Sequence, residues 1–397
     1  MQPMASLRFE QKSVLPAIAN SCRTIPTQVD EYWAEHVVRN KIFQTAKESE
    51  EYLEWRFRSY PLFREFSGLY GNHNGEIVLD YGCGPGNDVV GFAVHSNASK
   101  IIGVDVSEKA LDLAARRCSL HEIEPGRVEL ILLGDGNPII PLDDHSVDFI
   151  NCQGVLHHST HPTVILKEFY RVMKPTSRAV VMVYNADSIW LHLYTAYEKL
   201  VLENAFPGLN AYEAFSKNVD GIGCPIARCY TNQEFSALCE SIGFNTEYMG
   251  GYFSDTEMSS LQKYLNGALD DERVGDVHKQ FLKHLSCDDS GFPRYQGKCA
   301  GIGGVYRLYC WNKADATQRP QAQLSVARAE LMDARHQVSR LARRLSELDR
   351  QWEAIEPEFQ ALQEWRAKIL RIPGMNVLRN VYRVLRRLRT SLQMHKD

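Results

Sequence analysis

The sequence predicts an α/β protein. A seven-stranded, mostly parallel sheet with helices on both faces follows a helical N-terminal segment, carries lid insertions, and is followed by an α-helical coiled coil. Three observations predict this. Strand and helix patterns alternate from Glu76 to Asn185, which implies parallel pairing with right-handed crossovers. The stretch "VLDYGCGPGND" ends one strand in a glycine-rich turn and opens a helix. From Leu324 onward, apolar residues recur alternately three and four apart, the seam of a coiled coil.

Residues 1–75 read as two or three helices. "VDEYWAEHVVRNKIFQTAKESEEYLEWRFRSYPLFREF" mixes apolar and charged residues at helical spacing until Pro61 and "GLYGNHNG" break the pattern. The main domain spans 76–313. "EIVLDYG" is a short buried strand, "NDVVGFAVHS" a helix, "KIIGVDVS" the second strand and "EKALDLAARRCSLHEI" the second helix. "RVELILLGD" and "SVDFINCQG" are the third and fourth strands. "HPTVILKEFYRVMKP" is a helix stopped by Pro175, and "RAVVMVYN" is the fifth strand. The rhythm resumes in "TNQEFSALCESIGFNTEYMGGYF" and ends in "GGVYRLYCWNK". Two insertions interrupt it: 187–229, aromatic-rich and mostly helical, and 254–300, polar and weakly patterned.

A polar linker, 314–321, leads to the coiled coil at 322–365, which Pro357 kinks or ends. Residues 366–397 form a basic amphipathic tail: Leu378, Val381, Leu385, Leu388 and Leu392 share one face, with arginines interleaved. Such a helix suits a membrane surface or a membrane-bound complex, and the seam implies a homo-oligomer.

Composition is that of a soluble globular protein, with 397 residues, 44% hydrophobic and 24% charged. No apolar run approaches the roughly 20 residues of a membrane span, and the N-terminus "MQPMASLRFEQKSVLP" lacks the apolar core of a signal peptide. Ten cysteines with no CxxC pair suit a reducing cytosol better than disulfides or zinc, so no metal is expected, even at Cys224 and Cys229. A cytoplasmic protein, peripheral to the membrane through its tail, is the expectation. The net charge of −4 hides an asymmetry: residues through Gln321 carry 30 Lys+Arg against 40 Asp+Glu, and the rest 15 against 9. The acidic body argues against nucleic acid.

Glycines at the end of a strand let the backbone turn sharply and approach a ligand. Gly82, Gly84 and Gly86 depart from the dinucleotide fingerprint, because Asn87 stands where its third glycine belongs. Asp80, two residues before Gly82, would be poor company for a pyrophosphate. It suits a ligand with an ammonium group and no phosphate.

With these residues in place, "VLDYGCGPGN" resembles the first motif of class I S-adenosylmethionine-dependent methyltransferases, of the small-molecule and sugar type, which have a Rossmann-like fold. The resemblance runs strongly over about 76–185 and weakly over 230–312. It implies S-adenosylmethionine as cofactor and a cofactor site of Asp80, Gly82, Gly84, Gly86, Asn87, Asp105, Val106, Asp135, Gly136 and Gln153. Asp105 would accept hydrogen bonds from both ribose hydroxyls, and Asp135-Gly136 would read the adenine edge. "EYLEWRFRSYP" resembles a segment in which an arginine approaches the cofactor carboxylate, which makes Arg58 the candidate. A surface ion pair of Arg58 with Glu51 or Glu54 is the competing reading.

A methyl on a sulfonium needs little activation beyond alignment and, for a hydroxyl acceptor, removal of a proton. The loop "QGVLHHSTHP" supplies His157, His158 and His161, which titrate near neutrality. His158 is the first candidate base and His157 the second; packing against the cofactor or capping the next helix is the alternative. Tyr184 and Asn185 are secondary candidates for the acceptor pocket. Trp190, His192, Tyr194, Tyr197, Tyr212, Phe215 and Tyr230 either line that pocket or form the insertion's own core.

The layout of catalytic domain, coiled coil and basic tail is similar to that of chain-terminating polysaccharide methyltransferases. It implies O-methylation of a glycan or lipid-linked saccharide. The alternative acceptor is a small metabolite or quinone-like lipid, with the coiled coil used only for oligomerisation. A scaffold that keeps a cofactor site for structure is a third reading, disfavoured by the intact Asp80, Asp105 and Asp135 set.

Overall fold

The computed structural model describes residues 18–20, 27–38 and 40–310; the predicted linker, coiled coil and basic tail lie outside them. The described chain opens with strand β1 (Ile18–Asn20) and helices α1 (Gln28–Glu35), α2 (Ala46–Ser59) and α3 (Phe63–Ser67). Alternation follows: β2 (Ile77–Tyr81), α4 (Asn87–His95), β3 (Lys100–Asp105), α5 (Glu108–Leu120), β4 (Val128–Leu132), β5 (Val147–Gln153), α6 (Pro162–Val172) and β6 (Met173–Asn185). The first insertion holds a π-wound helix (Trp190–Leu202) and α7 (Ala211–Asn218). Next come β7 (Cys229–Tyr230), α8 (Asn232–Ile242) and β8 (Phe244–Tyr252). The second insertion forms α9 (Asp255–Asp270), α10 (Asp276–Lys283) and a small antiparallel sheet of β9 (Ser286–Cys287), β10 (Pro293–Tyr295) and β11 (Lys298–Cys299). The last described strand is β12 (Gly303–Cys310).

The main sheet runs β1-β4-β3-β2-β5-β6-β12-β8, with β7 beside the end of β6. Its pairs are parallel except those of β12, which is antiparallel to both β6 and β8. The seven expected strands are all present, and β1 and β7 extend the sheet beyond them. Central strands read as unbroken apolar runs because both faces are covered. Val78 points to one face, with Phe92 of α4 and Leu111 of α5. Its neighbour Leu79 points to the other, with Phe169 of α6 and Phe235 of α8. Among the described residues no helix is long and apolar enough to cross a membrane.

One element ends earlier than its pattern suggests. α6 stops at Val172, and Met173 already pairs with Val147. The residue before a proline is pushed out of the helical region, so Lys174 belongs to the strand that contains Pro175.

Candidate active site

Open α/β sheets bind ligands at the carboxyl ends of their strands. Here the ends of β2, β3 and β5 face Trp33 of α1 and Asp220 of the first insertion across a cleft of about 590 Å³. The glycine turn forms one wall. Gly82, Gly84 and Gly86 all have left-handed φ, at 74°, 52° and 77°. A Cβ on Gly82 would sit 2.1 Å from Val155 Cγ2, and one on Gly86 would sit 2.7 Å from Ala114 Cβ. A Cβ on Gly84 would meet nothing within 4 Å, so there the backbone is bared to the cleft.

Asp105 fastens this turn. Its Oδ2 accepts from the Gly84 N–H at 2.8 Å and its Oδ1 from the Ser107 N–H at 2.8 Å. Burial raises the carboxyl's pKa, and the backbone donors oppose that shift. Each oxygen keeps a lone pair for a ligand hydroxyl. Asp105 and Val106 both line the cleft.

A polar chain runs beneath it. Asn151 Nδ2 donates to Asp80 Oδ1 at 2.8 Å, and Gln153 Nε2 donates to Asn151 Oδ1 at 3.0 Å. Asp80 Oδ2 and Gln153 Oε1 are buried with no partner among the described residues. Burial and the nearby Asp88 push the Asp80 carboxyl well above the usual range. Gln153 lines the cleft, and its orphaned acceptor matches a donor-only cation such as an ammonium; Asp80 lies beneath the lining and reaches it through Asn151 and Gln153. The ammonium of S-adenosylmethionine fits this donor demand.

The arginine expected at position 58 is corrected. Arg58 is exposed, while Arg56 lines the cleft. Two residues along a helix is more than half a turn, so only one of the pair can face inward. Arg56 binds both oxygens of Asp88 and the Tyr70 hydroxyl at 3.1 Å. Burial opposes the Asp88 charge, but the Arg56 ion pair holds the carboxyl below its usual range. Glu54 pairs with Arg64 and Glu51 with Lys47, so neither takes Arg58.

Asp135 lines the cleft, but its carboxylate is committed to the loop after β5. It accepts from the Ser159 hydroxyl and from both the hydroxyl and the N–H of Thr160. Its own N–H donates to Asp30 of α1 at 2.7 Å. Here the Asp135 carboxylate holds a loop, where the resemblance implies that Asp135-Gly136 reads the adenine edge. Gly136, beside it, is exposed and outside the cleft lining.

Both histidine expectations change. His157 is fully buried outside the cleft lining, with its ring 3.9 Å from that of Tyr184. Burial, with His158 and Arg228 nearby, pushes its pKa well below the usual value, so it is a neutral packing group. His158 does line the cleft, but both ring nitrogens are engaged. Nδ1 lies 2.6 Å from the Ile226 carbonyl, and Nε2 lies 3.3 Å from Asp220 Oδ2. Burial alone would lower its pKa, but hydrogen bonds to Asp220 and Cys224 push it up to about 9. His158 is therefore an imidazolium near neutrality, unable to accept a proton. His161 is exposed at the start of α6.

The group that sequence reasoning missed is Asp220. It lies at the cleft, and its Oδ2 also accepts from Tyr184 Oη at 2.7 Å, while its backbone carbonyl accepts from Tyr32 Oη at 2.6 Å. Oδ1 takes no protein donor among the described residues. Trp33 packs edge-on against His158 at 4.9 Å. Of the insertion's aromatic candidates, Trp190 reaches the cleft; Tyr197 and Phe215 are buried in packing. Asn185 is buried and holds the backbone carbonyls of Asp187 and Gly301. No motif marks Asp220; "NVDGIG" carries only a turn signal.

Residues 72–224 match the family model of a methyltransferase domain. An uncharacterized methyltransferase of Schizosaccharomyces pombe is 33% identical over 100 residues, 25% of this chain and 36% of that protein. A mitochondrial 2-methoxy-6-polyprenyl-1,4-benzoquinol methylase of Caenorhabditis elegans is 23% identical over 251 residues, 60% of this chain and 86% of that protein. The chain spans about two fifths of the length of the first curated relatives it matches. A solved SAM-dependent methyltransferase of Aquifex aeolicus aligns with 52% of this chain and 93% of its own, at 18% identity and a TM-score of 0.35. With the glycine turn, Asp105 and the orphaned acceptor of Gln153 already in place, residues 72–224 match a methyltransferase domain, and S-adenosylmethionine is the cofactor that this site fits.

Proposed function

We propose that this chain methylates a hydroxyl on a ring-shaped acceptor, with Asp220 as the proton acceptor. One observation carries the reading: a carboxylate at the cleft is held by Tyr184 and His158 on one oxygen, leaving the other for the acceptor. When bound, S-adenosylmethionine supplies a methyl already attached to a positive sulfur. Asp105 would hold the ribose, Asp80 and Gln153 the ammonium, and Arg56 with Asn87 the carboxylate end.

Asp220 would orient the acceptor hydroxyl and take its proton. His158 and the Tyr184 hydroxyl hold Oδ2 and so fix the position of the carboxylate. Any carboxylate is a weak base, which suits a phenol or quinol-type hydroxyl better than an alcohol. Trp33, Tyr60, Trp190 and Tyr252 line the cleft and offer faces for such a ring. The curated relative named as a benzoquinol methylase is in keeping with this class.

A glycan or lipid-linked saccharide is the second reading. The heptad seam and the basic tail favour it, through membrane docking and self-association. Turnover of the full chain with labelled methyl donor on matched panels of phenols, quinols, sugars and glycolipids separates the two. Labelled phenol or quinol that disappears in Asp220→Asn supports the first reading. Labelling confined to sugars or glycolipids overturns it.

A further inference from the structure

Arg117 is a buried cation without a carboxylate of its own. It lies on α5, 2% exposed, and forms no ion pair among the described residues. Neutral groups hold its guanidinium. Nε donates to Ser49 Oγ at 2.6 Å, Nη2 to the Ser49 carbonyl at 3.0 Å, and Nη1 to Asn87 Oδ1 at 3.0 Å. The rings of Phe43 and Tyr52 lie 4.6 and 5.7 Å away. Burial pulls its pKa down to about 10, a sign that the charge lacks full compensation within the protein.

Its contact with Asn87 points toward the cleft. Asn87 is the first residue of α4 and part of the cleft wall. An amide presents an acceptor at one end and two donors at the other. With Oδ1 turned to Arg117, the Nδ2 donors face away from it, and they meet no acceptor among the described residues. The N-cap of α4 is Gly86, which makes no side-chain cap, so the positive end of the helix dipole adds to the same side. Opposite polarity lies close by. Asn151 Nδ2 bridges Asp80 Oδ1 at 2.8 Å and Asp88 Oδ2 at 3.2 Å, and Asp88 follows Asn87 directly. A ligand carbon bearing both an ammonium and a carboxylate therefore finds an orphaned acceptor at Gln153, with Asp80 beneath it, and unspent donors at Asn87.

We propose that Arg117 is a positioning residue for the amino-acid end of the cofactor. It fixes the Asn87 amide with its NH2 toward the cleft, and the cofactor's carboxylate balances its buried charge. This rests on the assignment of S-adenosylmethionine to the site.

The test is calorimetric binding of S-adenosylmethionine and of its decarboxylated form, which keeps the adenosine, sulfonium and ammonium. Full-length wild type, Arg117→Met and Asn87→Asp are compared. Wild type binds the decarboxylated form about tenfold or more weakly, the scale of a lost charge-assisted contact. Arg117→Met brings the two affinities within about threefold, mainly by weakening the carboxylate-bearing ligand. Asn87→Asp presents a carboxylate where the amide donors stood and does the same, so the test stands even if Arg117→Met fails to fold. An unchanged ratio in Asn87→Asp, or in folded Arg117→Met, overturns the inference alone. Wild type that binds neither ligand overturns the cofactor assignment and the inference with it.

Discussion

The Asp220 carboxylate and the His158 imidazole meet at 3.3 Å, joining the first insertion to the loop after β5. The insertion thereby places a carboxyl group at the cleft and does not merely cover it. Asp220→Asn is expected to lower turnover by about 10²–10⁴-fold, the usual scale of general-base loss. Cofactor affinity should stay at the wild-type level in calorimetry. A parallel loss of cofactor binding would place Asp220 in the scaffold.

The same pair sets a pH dependence. His158 rises from an ordinary 6.5 to about 9 in the folded protein. Its contribution to stability is complete below about 6.5 and is lost as the pH climbs through about 9. The melting-temperature advantage of wild type over His158→Gln should therefore shrink across that window. An advantage that grows with pH would show that His158 is neutral.

Arg56 and Arg58 give opposite outcomes on one helix. Arg56→Ala leaves Asp88 buried without its ion pair, a loss of about 3–5 kcal/mol by analogy with broken buried pairs. Cofactor affinity should fall as well. Arg58→Ala should match wild type in both melting and titration. Equal effects from the two would contradict the inward orientation of Arg56.

The glycines separate fold from binding. Gly82→Ala drives a Cβ into Val155 at 2.1 Å and should destabilise the fold, with strain of about 1–3 kcal/mol at its left-handed φ before any clash. Gly84→Ala has open space around it and should fold with only the φ penalty. It should nevertheless lose cofactor affinity, because its Cβ stands in the cleft. Urea melts and calorimetry on both variants test this.

On the proposed cofactor pose, Asp105→Ala would remove the acceptor for both ribose hydroxyls, each contact worth about 1.5–3 kcal/mol when charge-assisted. Cofactor affinity should fall at least about tenfold, as titration would show. Because the Gly84 N–H also depends on Asp105, Asp105→Asn should retain more of the turn than Asp105→Ala.

Legibility followed the range of the interaction. The strands, the three glycines and Asp105 obey local rules of periodicity and turn geometry, and the chain displays them within a few residues. Arg56 was missed because both arginines stand in one helical run, and the inward face of α2 depends on Tyr70 and Asp88, which lie further along the chain. The histidines were seen, but their protonation is set by burial and by Asp220, far away in sequence. The commitment of Asp135 is not legible in its own strand, because its partners, Ser159 and Thr160, belong to another loop. β1 and β7 are two or three residues long, too short for any period to register.

The order of the strands has a bearing on synthesis. β12 lies between β6 and β8, so the last strand described closes a gap between two made before it. On the ribosome, both of those strands emerge with bare edges, and at about 5–20 residues per second the wait for β12 lasts seconds. Bare edges invite pairing with other chains. Ile302 and Gly303 also wall the cleft, so an unfinished chain lacks a complete binding site as well as a complete sheet. A nascent chain halted before β12 is thus a natural client for chaperones, and cofactor supplied during translation would have no finished site to rescue.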